Sequence, residues 1–183
     1  MNLKITDPGD LAHLESMASG MMESRNGTGL DFHPLKSGRP LVLGGLRLKG
    51  DRGPDGHSDG DAVLHAVADA ILAAARLGDI GVIFPPDDPR WKDADSRLLL
   101  KDVCRRVRHG GWSVLQLDVT VIARYPRISP VREEMIECIA GLLGIDPKRV
   151  WVKGTTTNSL GDIGRGKGLG CLASVTLTRR RLL

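Results

Sequence analysis

The chain has 183 residues, of which 41% are hydrophobic and 26% are charged, and its net charge is +4. These values are typical of one globular domain with a full hydrophobic core and a short appendage. The three Trp, two Phe and one Tyr are too few for the stacking surfaces that bind single-stranded nucleic acid. No apolar run approaches the ~20 residues of a membrane span, and the N-terminus lacks the apolar core of a signal peptide. Cys104, Cys138 and Cys171 form no Cys-x-x-Cys pair, so we expect reduced thiols in a cytoplasmic protein.

The two ends of the chain are expected to stand apart from this domain. Residues 1–24 predict a short strand over residues 2–6 and a helix with Asp7 as N-cap and Pro8 at its first position. One strand and one helix cannot bury a core, so we expect an N-terminal extension over residues 1–24 and a separate domain over residues 25–183. Arg179, Arg180 and Arg181 are typical of a solvated basic tail, which is the only support for a nucleic-acid-binding module.

The first half of the domain predicts extended chain followed by one long helix. Residues 25–33 predict an extended segment, and residues 41–48 predict a strand pair bent at a Gly-Gly sequence. Residues 50–56 predict a polar, mobile loop. Apolar residues at helical spacing predict a central helix over roughly residues 59–77, capped by Ser58 and stopped by Gly78.

The second half predicts further helices and strands. Residues 79–89 form a loop rich in Pro and carboxylates. Helices are predicted from Asp95 to Gly110, with Leu98 facing inward, and from Pro130 to Gly144. Strands are predicted over residues 113–123, 149–153 and 172–177. Because helices and strands interleave imperfectly, we expect an α+β fold, a mixed β-sheet with helices packed on one face.

Asp31, His33 and His65 are the candidate ligands of a metal ion. Residues i and i+2 of an extended chain face the same side, so Asp31 and His33 project together, while His65 lies on the central helix. Each of them alone is more often a solvated or core side chain. Three protein ligands with an open fourth position are typical of catalytic zinc, because water or substrate takes the remaining place.

Other polar residues predict a phosphate ligand beside this metal. His57 stands near the predicted N-terminus of the central helix, where phosphate oxygens are favoured. Residues 155–157 offer hydroxyl donors, and Asp79 and Asp88 could hold sugar-type hydroxyls. A metal, a helix N-terminus and hydroxyls together predict phosphoryl-transfer chemistry.

Two similar motifs fail on their spacing. Residues 59–61 lack the ligand spacing of a calcium loop. Residues 161–167 nearly match a nucleotide P-loop, but residue 168 is Gly instead of Ser or Thr, and the strand and helix of that motif are missing. Residues 161–167 therefore predict either a flexible hairpin loop or an anion cradle of amides with Arg165 and Lys167.

Five segments together resemble a known enzyme family. They are RNGTGLDFH, HSDGDAVLHAVADAIL, LGDIGVIFPPDDP, DVTVIARYPRI and VKGTTTNSLGDIGRGKG. In this order, over about residues 25–178, they look like 2-C-methyl-D-erythritol 2,4-cyclodiphosphate synthase of the non-mevalonate pathway of isoprenoid (terpenoid) biosynthesis. The resemblance implies a phosphorus-oxygen lyase that cyclises 4-diphosphocytidyl-2-C-methyl-D-erythritol 2-phosphate and releases CMP. It also implies a homotrimer with active sites between subunits, one zinc ion per subunit, and a Mg²⁺ or Mn²⁺ on the substrate diphosphate.

The resemblance carries roles to individual residues. Asp31, His33 and His65 would hold zinc, while His57 and Thr156 would be catalytic. The methylerythritol part, the cytidine and the phosphates would be bound by a larger set, which comprises Asp31, His33, His57, Ser58, Asp79, Ile80, Gly81, Phe84, Asp88, Ala123, Pro126, Arg127, Ser129, Thr155, Thr156, Thr157, Asn158, Asp162 and Arg165.

Three positions depart from the family's pattern. Asn158 stands where a Glu that binds the second metal is usual, Asp162 where a Phe is usual near the trimer axis, and Arg127 where a Lys is usual. Asn keeps an oxygen but not the charge, which favours weaker Mg²⁺ binding. The alternative interpretation is therefore a non-catalytic or weakly active homologue that binds metal and phosphate ligands.

The N-terminal extension has a resemblance of its own. Residues 2–11 look like the closing strand and helix of 2-C-methyl-D-erythritol 4-phosphate cytidylyltransferase, an enzyme that is sometimes fused to the synthase. The resemblance implies that residues 1–22 are a fusion remnant, or that the protein associates with that enzyme.

Overall fold

The structure is a computed structural model that describes residues 22–180. Its strands are β1 (Met22–Ser37), β2 (Leu41–Leu43), β3 (Leu46–Leu48), β4 (Arg52–Pro54), β5 (Ser113–Ile122), β6 (Val150–Thr155) and β7 (Gly168–Arg180). Its helices are α1 (Ala62–Ala75), α2 (Ile80–Ile83), α3 (Ser96–His109), α4 (Arg132–Leu143) and α5 (Gly161–Gly164). Short 3₁₀ turns lie at Pro89–Trp91, Ser129–Val131 and Pro147–Arg149. The strand and helix expected within residues 1–21 lie outside the described residues.

The main sheet has the strand order β4-β1-β7-β5-β6. β5 and β6 are parallel and its other strand pairs are antiparallel, so the sheet is mixed. β1 and β7 pair from Met22 opposite Arg180 to Pro34 opposite Gly168. β2 and β3 form a separate hairpin, whose turn has positive φ at both Gly44 and Gly45, a conformation that glycine adopts without strain.

Helices cover one face of the main sheet, which confirms the predicted α+β fold. Alternate strand residues point to that face and are buried, as Ala173 and Val175 are on β7. The opposite face, called the open face below, carries four large apolar side chains that are 42% to 53% exposed: Leu30, Phe32, Trp151 and Leu172. None of the helices in residues 22–180 is long and apolar enough to cross a membrane. All three cysteines are free thiols, as expected.

Two glycines let α1 lie close against β1. A Cβ atom on Gly29 would stand 2.0 Å from the carbonyl oxygen of Ala66, and one on Gly27 would stand 2.2 Å from that of Ala70. Any larger residue on this side of β1 would push the helix outward. The glycines therefore set the separation between α1 and the strand that carries Asp31 and His33.

The prediction of a solvated basic tail was wrong for Arg179, because β7 continues to Arg180. The Arg179 guanidinium pairs with Glu23 at 2.8 Å. It also lies 4.4 Å from the ring centroid of Trp112, and Arg25 approaches the same ring at 4.4 Å. These contacts tie the ends of β1, β5 and β7 together.

Three local predictions were also wrong. Residues 50–56 contain β4, which pairs with β1, and this long-range pairing overrides a loop-forming composition. Leu98 is 62% exposed, because it lies on the outer side of α3. The central helix is capped by Asp61 instead of Ser58, and it ends at Arg76, in the left-handed conformation, before it reaches Gly78.

Replacing Gly29 with alanine should destabilise the fold. Overpacking a tight contact costs about 1–3 kcal/mol, and a Cβ facing backbone atoms belongs at the upper end of that range. Urea unfolding should therefore show a loss of about 3 kcal/mol in the free energy of unfolding. Gly141→Ala in α4 is the control, since nothing lies within 4 Å of a Cβ there. That control should keep its stability or gain about 0.5–1 kcal/mol, and equal stability of Gly29→Ala and the wild type would contradict the close approach.

Candidate metal centre and active site

Asp31, His33 and His65 meet between β1 and α1. Their candidate ligand atoms lie within 4.8 Å of one another. The Asp31 Oδ2 atom is 2.8 Å from His33 Nδ1 and 3.4 Å from His65 Nδ1. The structure thus brings together the three residues that the sequence grouped, and they are called the triad below.

The triad has the electrostatics of a cation site. Asp31 Oδ2 and His33 Nδ1 are buried and lie 2.8 Å apart, but the angles between them do not make a hydrogen bond, and neither atom has another partner within residues 22–180. Burial of the Asp31 carboxyl opposes its ionised form, but the two imidazoles beside it outweigh burial and lower its pKa to about 2. Burial of His65 favours its neutral form, yet the neighbouring Asp31 carboxylate raises its pKa. An ionised carboxylate that faces imidazole nitrogens fits a metal ion with one oxygen and two nitrogen ligands.

Asp61 fixes the N-terminus of α1, and with it the position of His65. Its buried carboxylate accepts hydrogen bonds from the amides of Val63 and Leu64, at 3.1 and 3.0 Å. It also accepts from both glycine amides of the β2–β3 turn, at 2.8 and 2.6 Å. The first pair caps the helix and the second ties it to the hairpin.

His57 and Ser58 lie on the loop before α1, and Arg39 holds this loop. The Arg39 guanidinium donates to the carbonyl oxygens of Gly56 and Ser58, at 3.1 and 2.9 Å. His57 precedes the central helix, as predicted, but the prediction that the amides at the helix N-terminus are available to a phosphate beside it was wrong. The helix begins at Ala62, and the carboxylate that caps it occupies its first amides.

A cavity of about 230 Å³, called the metal cavity below, opens beside the triad. Seven residues of the predicted site line it, namely His33, His57, Ser58, His65, Ile80, Gly81 and Phe84. Sequence reasoning missed Gly56, Pro86, Trp91 and Leu99, which also line it. Trp91 packs edge-on against Phe84 with 4.9 Å between ring centroids, so the two rings form one wall. The sequence signal that could have indicated this wall is Trp91 itself, a large aromatic residue that closely follows a Pro-rich loop.

Asp79 and Asp88 already have partners in the protein. Asp79 caps α2 by accepting from the Val82 amide at 2.9 Å. Asp88 pairs with the Arg90 guanidinium at 2.6 Å. Asp88 and His57 line a neighbouring cavity of about 340 Å³, whereas Asp79 lines neither this cavity nor the metal cavity. A role for both carboxylates in holding sugar hydroxyls stays a prediction.

A third cavity, of about 290 Å³, lies at the carboxyl ends of β5 and β6. It is called the arginine pocket below, because Arg124, Arg127 and Arg132 line it and no carboxylate does. Six residues of the predicted site are in its walls, namely Ala123, Pro126, Arg127, Ser129, Thr155 and Thr156. Sequence reasoning missed Arg132, whose guanidinium lies 5.4 Å from the Trp151 ring centroid. The lining charge favours an anionic ligand.

Six residues of the predicted site line none of these cavities: Asp31, Asp79, Thr157, Asn158, Asp162 and Arg165. The Thr156 hydroxyl donates to Asn158 Oδ1 at 3.3 Å, and that of Thr157 donates to the Leu160 carbonyl at 2.7 Å. Asp162 pairs with Arg165 at 2.9 Å. The metal cavity and the arginine pocket share no lining residue, so in one chain the triad lies beside one cavity and Thr156 lines another.

Comparison with known proteins assigns this fold to a family. The YgbB family matches residues 24–178. The chain belongs to the YgbB family. It is 51% identical to the 2-C-methyl-D-erythritol 2,4-cyclodiphosphate synthase of Moorella thermoacetica, over 85% of this chain and 96% of that protein. It is 49% identical to the protein of the same name from Laribacter hongkongensis, over 87% of this chain and 98% of that protein.

Some YgbB-family relatives are longer. The bifunctional enzyme IspD/IspF of Erythrobacter litoralis is 44% identical over 93% of this chain, which covers 44% of that protein. The structure of the bifunctional IspDF from Campylobacter jejuni matches with a TM-score of 0.84 at 40% identity, over 87% of this chain and 43% of that chain. The CDP complex of IspF from Plasmodium falciparum matches with a TM-score of 0.76 at 32% identity, over 86% of this chain and 97% of that chain. This chain thus spans nearly all of the shorter relatives and less than half of the bifunctional ones.

Asp61→Asn should destabilise the protein, because an amide NH₂ would face backbone N–H donors. Breaking a buried charged network by removing one partner costs about 3–5 kcal/mol. Because Asn keeps one acceptor oxygen, we expect the free energy of unfolding of the metal-free protein, measured in urea, to fall by about 3 kcal/mol. Asp102→Asn is the control, since Asp102 pairs with Arg105 and Arg106 on the surface of α3. An exposed pair of this kind contributes about 1 kcal/mol or less. A similar small loss for both variants would refute the structural role of Asp61.

His65→Ala should lower the metal content well below one ion per chain, because it removes one of the three triad ligands. Elemental analysis of the purified, dialysed protein measures this. His109→Ala, at the end of α3 and outside the triad, should retain the wild-type metal content. An unchanged stoichiometry in His65→Ala would exclude His65 as a ligand.

Proposed function

We propose that the protein is a 2-C-methyl-D-erythritol 2,4-cyclodiphosphate synthase, which cyclises 4-diphosphocytidyl-2-C-methyl-D-erythritol 2-phosphate and releases CMP. One observation carries the proposal. A buried Asp-His-His triad lies beside a cavity lined by His57 and Ser58. The chain that holds it is 51% identical to a synthase of this name, over 96% of the length of that synthase. The reaction is a phosphorus-oxygen lyase reaction.

We propose zinc as the metal of the triad, with one ion per subunit. Two imidazoles and one carboxylate with an open position are a common catalytic zinc set. When bound, zinc would supply positive charge to a phosphate oxygen of the substrate. A Mg²⁺ or Mn²⁺ on the substrate diphosphate would have the amide oxygen of Asn158 as a neutral ligand, where a carboxylate is usual.

The proposed substrate spans both kinds of cavity. Its cytidine and α-phosphate suit the arginine pocket, since Arg127 and Arg132 offer cationic donors and the Plasmodium falciparum relative is described as a CDP complex. Its methylerythritol 2-phosphate suits the metal cavity, where His57 and Ser58 provide polar contacts to the phosphate.

The proposed chemistry is an in-line displacement at the β-phosphorus. An oxygen of the 2-phosphate forms a new P–O bond, and the bond from the β-phosphorus to the bridging oxygen breaks, so that CMP leaves with the electron pair. The protein contributes positioning and charge stabilisation. His57 would neutralise the charge that develops near the metal cavity, and the Thr156 hydroxyl would donate to the phosphate being transferred.

We propose that the site is completed by a neighbouring subunit in a homotrimer. The triad lies beside one cavity of the chain and Thr156 lines another. The substrate of the proposed reaction would have to contact both. Four large apolar side chains on the open face provide a surface of the kind that subunits bury: Leu30, Phe32, Trp151 and Leu172. A cyclic trimer would place the arginine pocket of one subunit against the metal cavity of the next.

We propose that residues 1–24 are an extension of a synthase domain over residues 25–183, and that residues 1–22 are the remnant of a fusion to the cytidylyltransferase or a segment that associates with it. The match to the bifunctional Erythrobacter litoralis relative takes in 93% of the chain. The match covers 170 of the 183 residues, so at most 13 residues of the chain are left unmatched. The extension has 24 residues, so the match must include part of it. The match to the Moorella thermoacetica relative takes in 85% of the chain.

The second candidate function is a weakly active or non-catalytic homologue that binds metal and phosphate ligands. Asn158 favours it, because an amide binds Mg²⁺ less strongly than a carboxylate does. Asn158→Glu distinguishes the two candidates. If the missing charge limits the reaction, this variant should release CMP faster at low Mg²⁺ concentration than the wild type does. Equal rates at every Mg²⁺ concentration would show that Asn158 does not limit turnover.

Release of CMP tests the proposed function directly. The purified protein with Zn²⁺ and Mg²⁺ should convert the substrate to CMP and the cyclic diphosphate, and Thr156→Ala should lower kcat about 10²- to 10³-fold, as loss of one donor to a transition-state oxygen does. Thr178→Ala, near the end of β7 and outside all three cavities, is the control and should keep the wild-type rate. Absence of CMP with the wild-type protein would overturn the proposal.

A further inference from the structure

The side of the His65 ring that faces away from the triad is held by a chain of polar groups. His65 Nε2 lies 2.9 Å from Ser96 Oγ and 3.1 Å from Ser58 Oγ. Ser96 Oγ lies 2.5 Å from Asp59 Oδ1, and the Ser96 amide donates to Asp59 Oδ2 at 3.1 Å. Ser96 is 1% exposed, so water does not compete for these bonds.

The order of donors in this chain follows from the single hydroxyl proton of Ser96. An ionised carboxylate only accepts, so Ser96 donates its proton to Asp59 and presents a lone pair to His65. His65 must then carry its own proton on Nε2 and donate it to Ser96. In the neutral ring this leaves a lone pair on Nδ1, the nitrogen that faces Asp31 Oδ2 at 3.4 Å.

Helix capping does not account for the Ser96 hydroxyl. The N-cap of α3 is Asp95, whose side chain accepts from the Arg97 amide at 2.9 Å. Ser96 is the first residue of the helix, and its hydroxyl points at two groups of another part of the chain, 31 and 37 residues away in sequence. The loop around Asp59 also docks on this region, since the Asp59 amide donates to the Ala94 carbonyl at 3.1 Å.

We propose that Asp59 and Ser96 are positioning residues for the metal. They fix His65 in the tautomer with the proton on Nε2, and hence present Nδ1 to a metal ion shared with Asp31 and His33. This inference rests on the metal site of the proposed function and not on its catalytic step. Mutation of a group that hydrogen-bonds the second ring nitrogen of a metal-ligating histidine typically lowers metal affinity about 10- to 100-fold.

Metal affinity measured by competition with a chromogenic zinc chelator tests the inference on the full-length protein. Ser96→Ala should weaken zinc binding about 10-fold, at the low end of the usual range because Ser58 Oγ still accepts from Nε2. Ser96→Thr keeps a hydroxyl and should restore affinity to near the wild-type value. Ser113→Ala, at the exposed start of β5, should leave it unchanged.

A second variant and a second readout separate this role from a merely structural one. Asp59→Asn acts on the other end of the chain and should weaken zinc binding in the same direction. In the metal-free protein the Asp31 carboxylate, 3.4 Å from Nδ1, draws the proton of the neutral ring toward Nδ1, and Ser96 draws it toward Nε2. ¹⁵N NMR at a pH where His65 is neutral should therefore show a larger share of the tautomer with the proton on Nε2 in the wild type than in Ser96→Ala. If Ser96→Ala does not fold, the zinc affinity of Asp59→Asn and the His65 tautomer of the wild-type protein test the inference instead.

Wild-type zinc affinity together with a wild-type tautomer in either folded variant would overturn the inference. This result is distinct from failure of the proposed function. Absence of CMP release with weakened zinc binding in Ser96→Ala would retain the positioning role and reject only the reaction.

Discussion

One buried carboxylate sets the position of the elements around the candidate site. Asp61 is fully buried and accepts from four backbone amides, two in the first turn of α1 and two in the β2–β3 turn. Burial raises the pKa of this carboxyl, and the amide donors oppose that shift, so the charged form depends on every donor staying in place. The start of α1, and therefore the direction in which His65 projects, is determined by a residue outside the triad.

Gly29 provides the second constraint, because it fixes the depth of the same helix. Asp61 determines where α1 begins along the sheet, and the glycine determines how close its axis lies to β1. Three ligands from two elements can share one ion only when both quantities are set to a fraction of an ångström. A rigid helix packed on a rigid strand achieves this more reliably than loops do, and His65 sits on such a helix opposite Asp31 and His33.

Local sequence patterns predicted the triad because each part of it depends on local geometry. Strand alternation put Asp31 and His33 on one side, and helical periodicity put His65 on a buried helix. Local patterns could not identify the N-cap of that helix, because Ser58 and Asp61 are both suitable residue types. Asp61 is the cap because its carboxylate also accepts from the two glycine amides of the β2–β3 turn, which are distant in sequence. Strand β4 and the contact of Asp59 with Ser96 are missed for the same reason, since both join segments distant in sequence.

The charges around α5 show which departure from the family pattern bears on the proposed chemistry. Asp162 stands where the resemblance described above implies a Phe. Arg165 and Lys167 lie 2.9 and 3.5 Å from its carboxylate and lower its pKa, so its charge is balanced within the chain. Asn158 is different, because the change there is the loss of a negative charge and not the gain of one. Its Oδ1 accepts from the Thr156 hydroxyl at 3.3 Å, a bond that a carboxylate would strengthen through its charge. The neutral amide leaves that hydroxyl more weakly held. In the proposed reaction, Asn158 would therefore weaken the binding of a second metal and at the same time leave the Thr156 hydroxyl freer to donate to a phosphate.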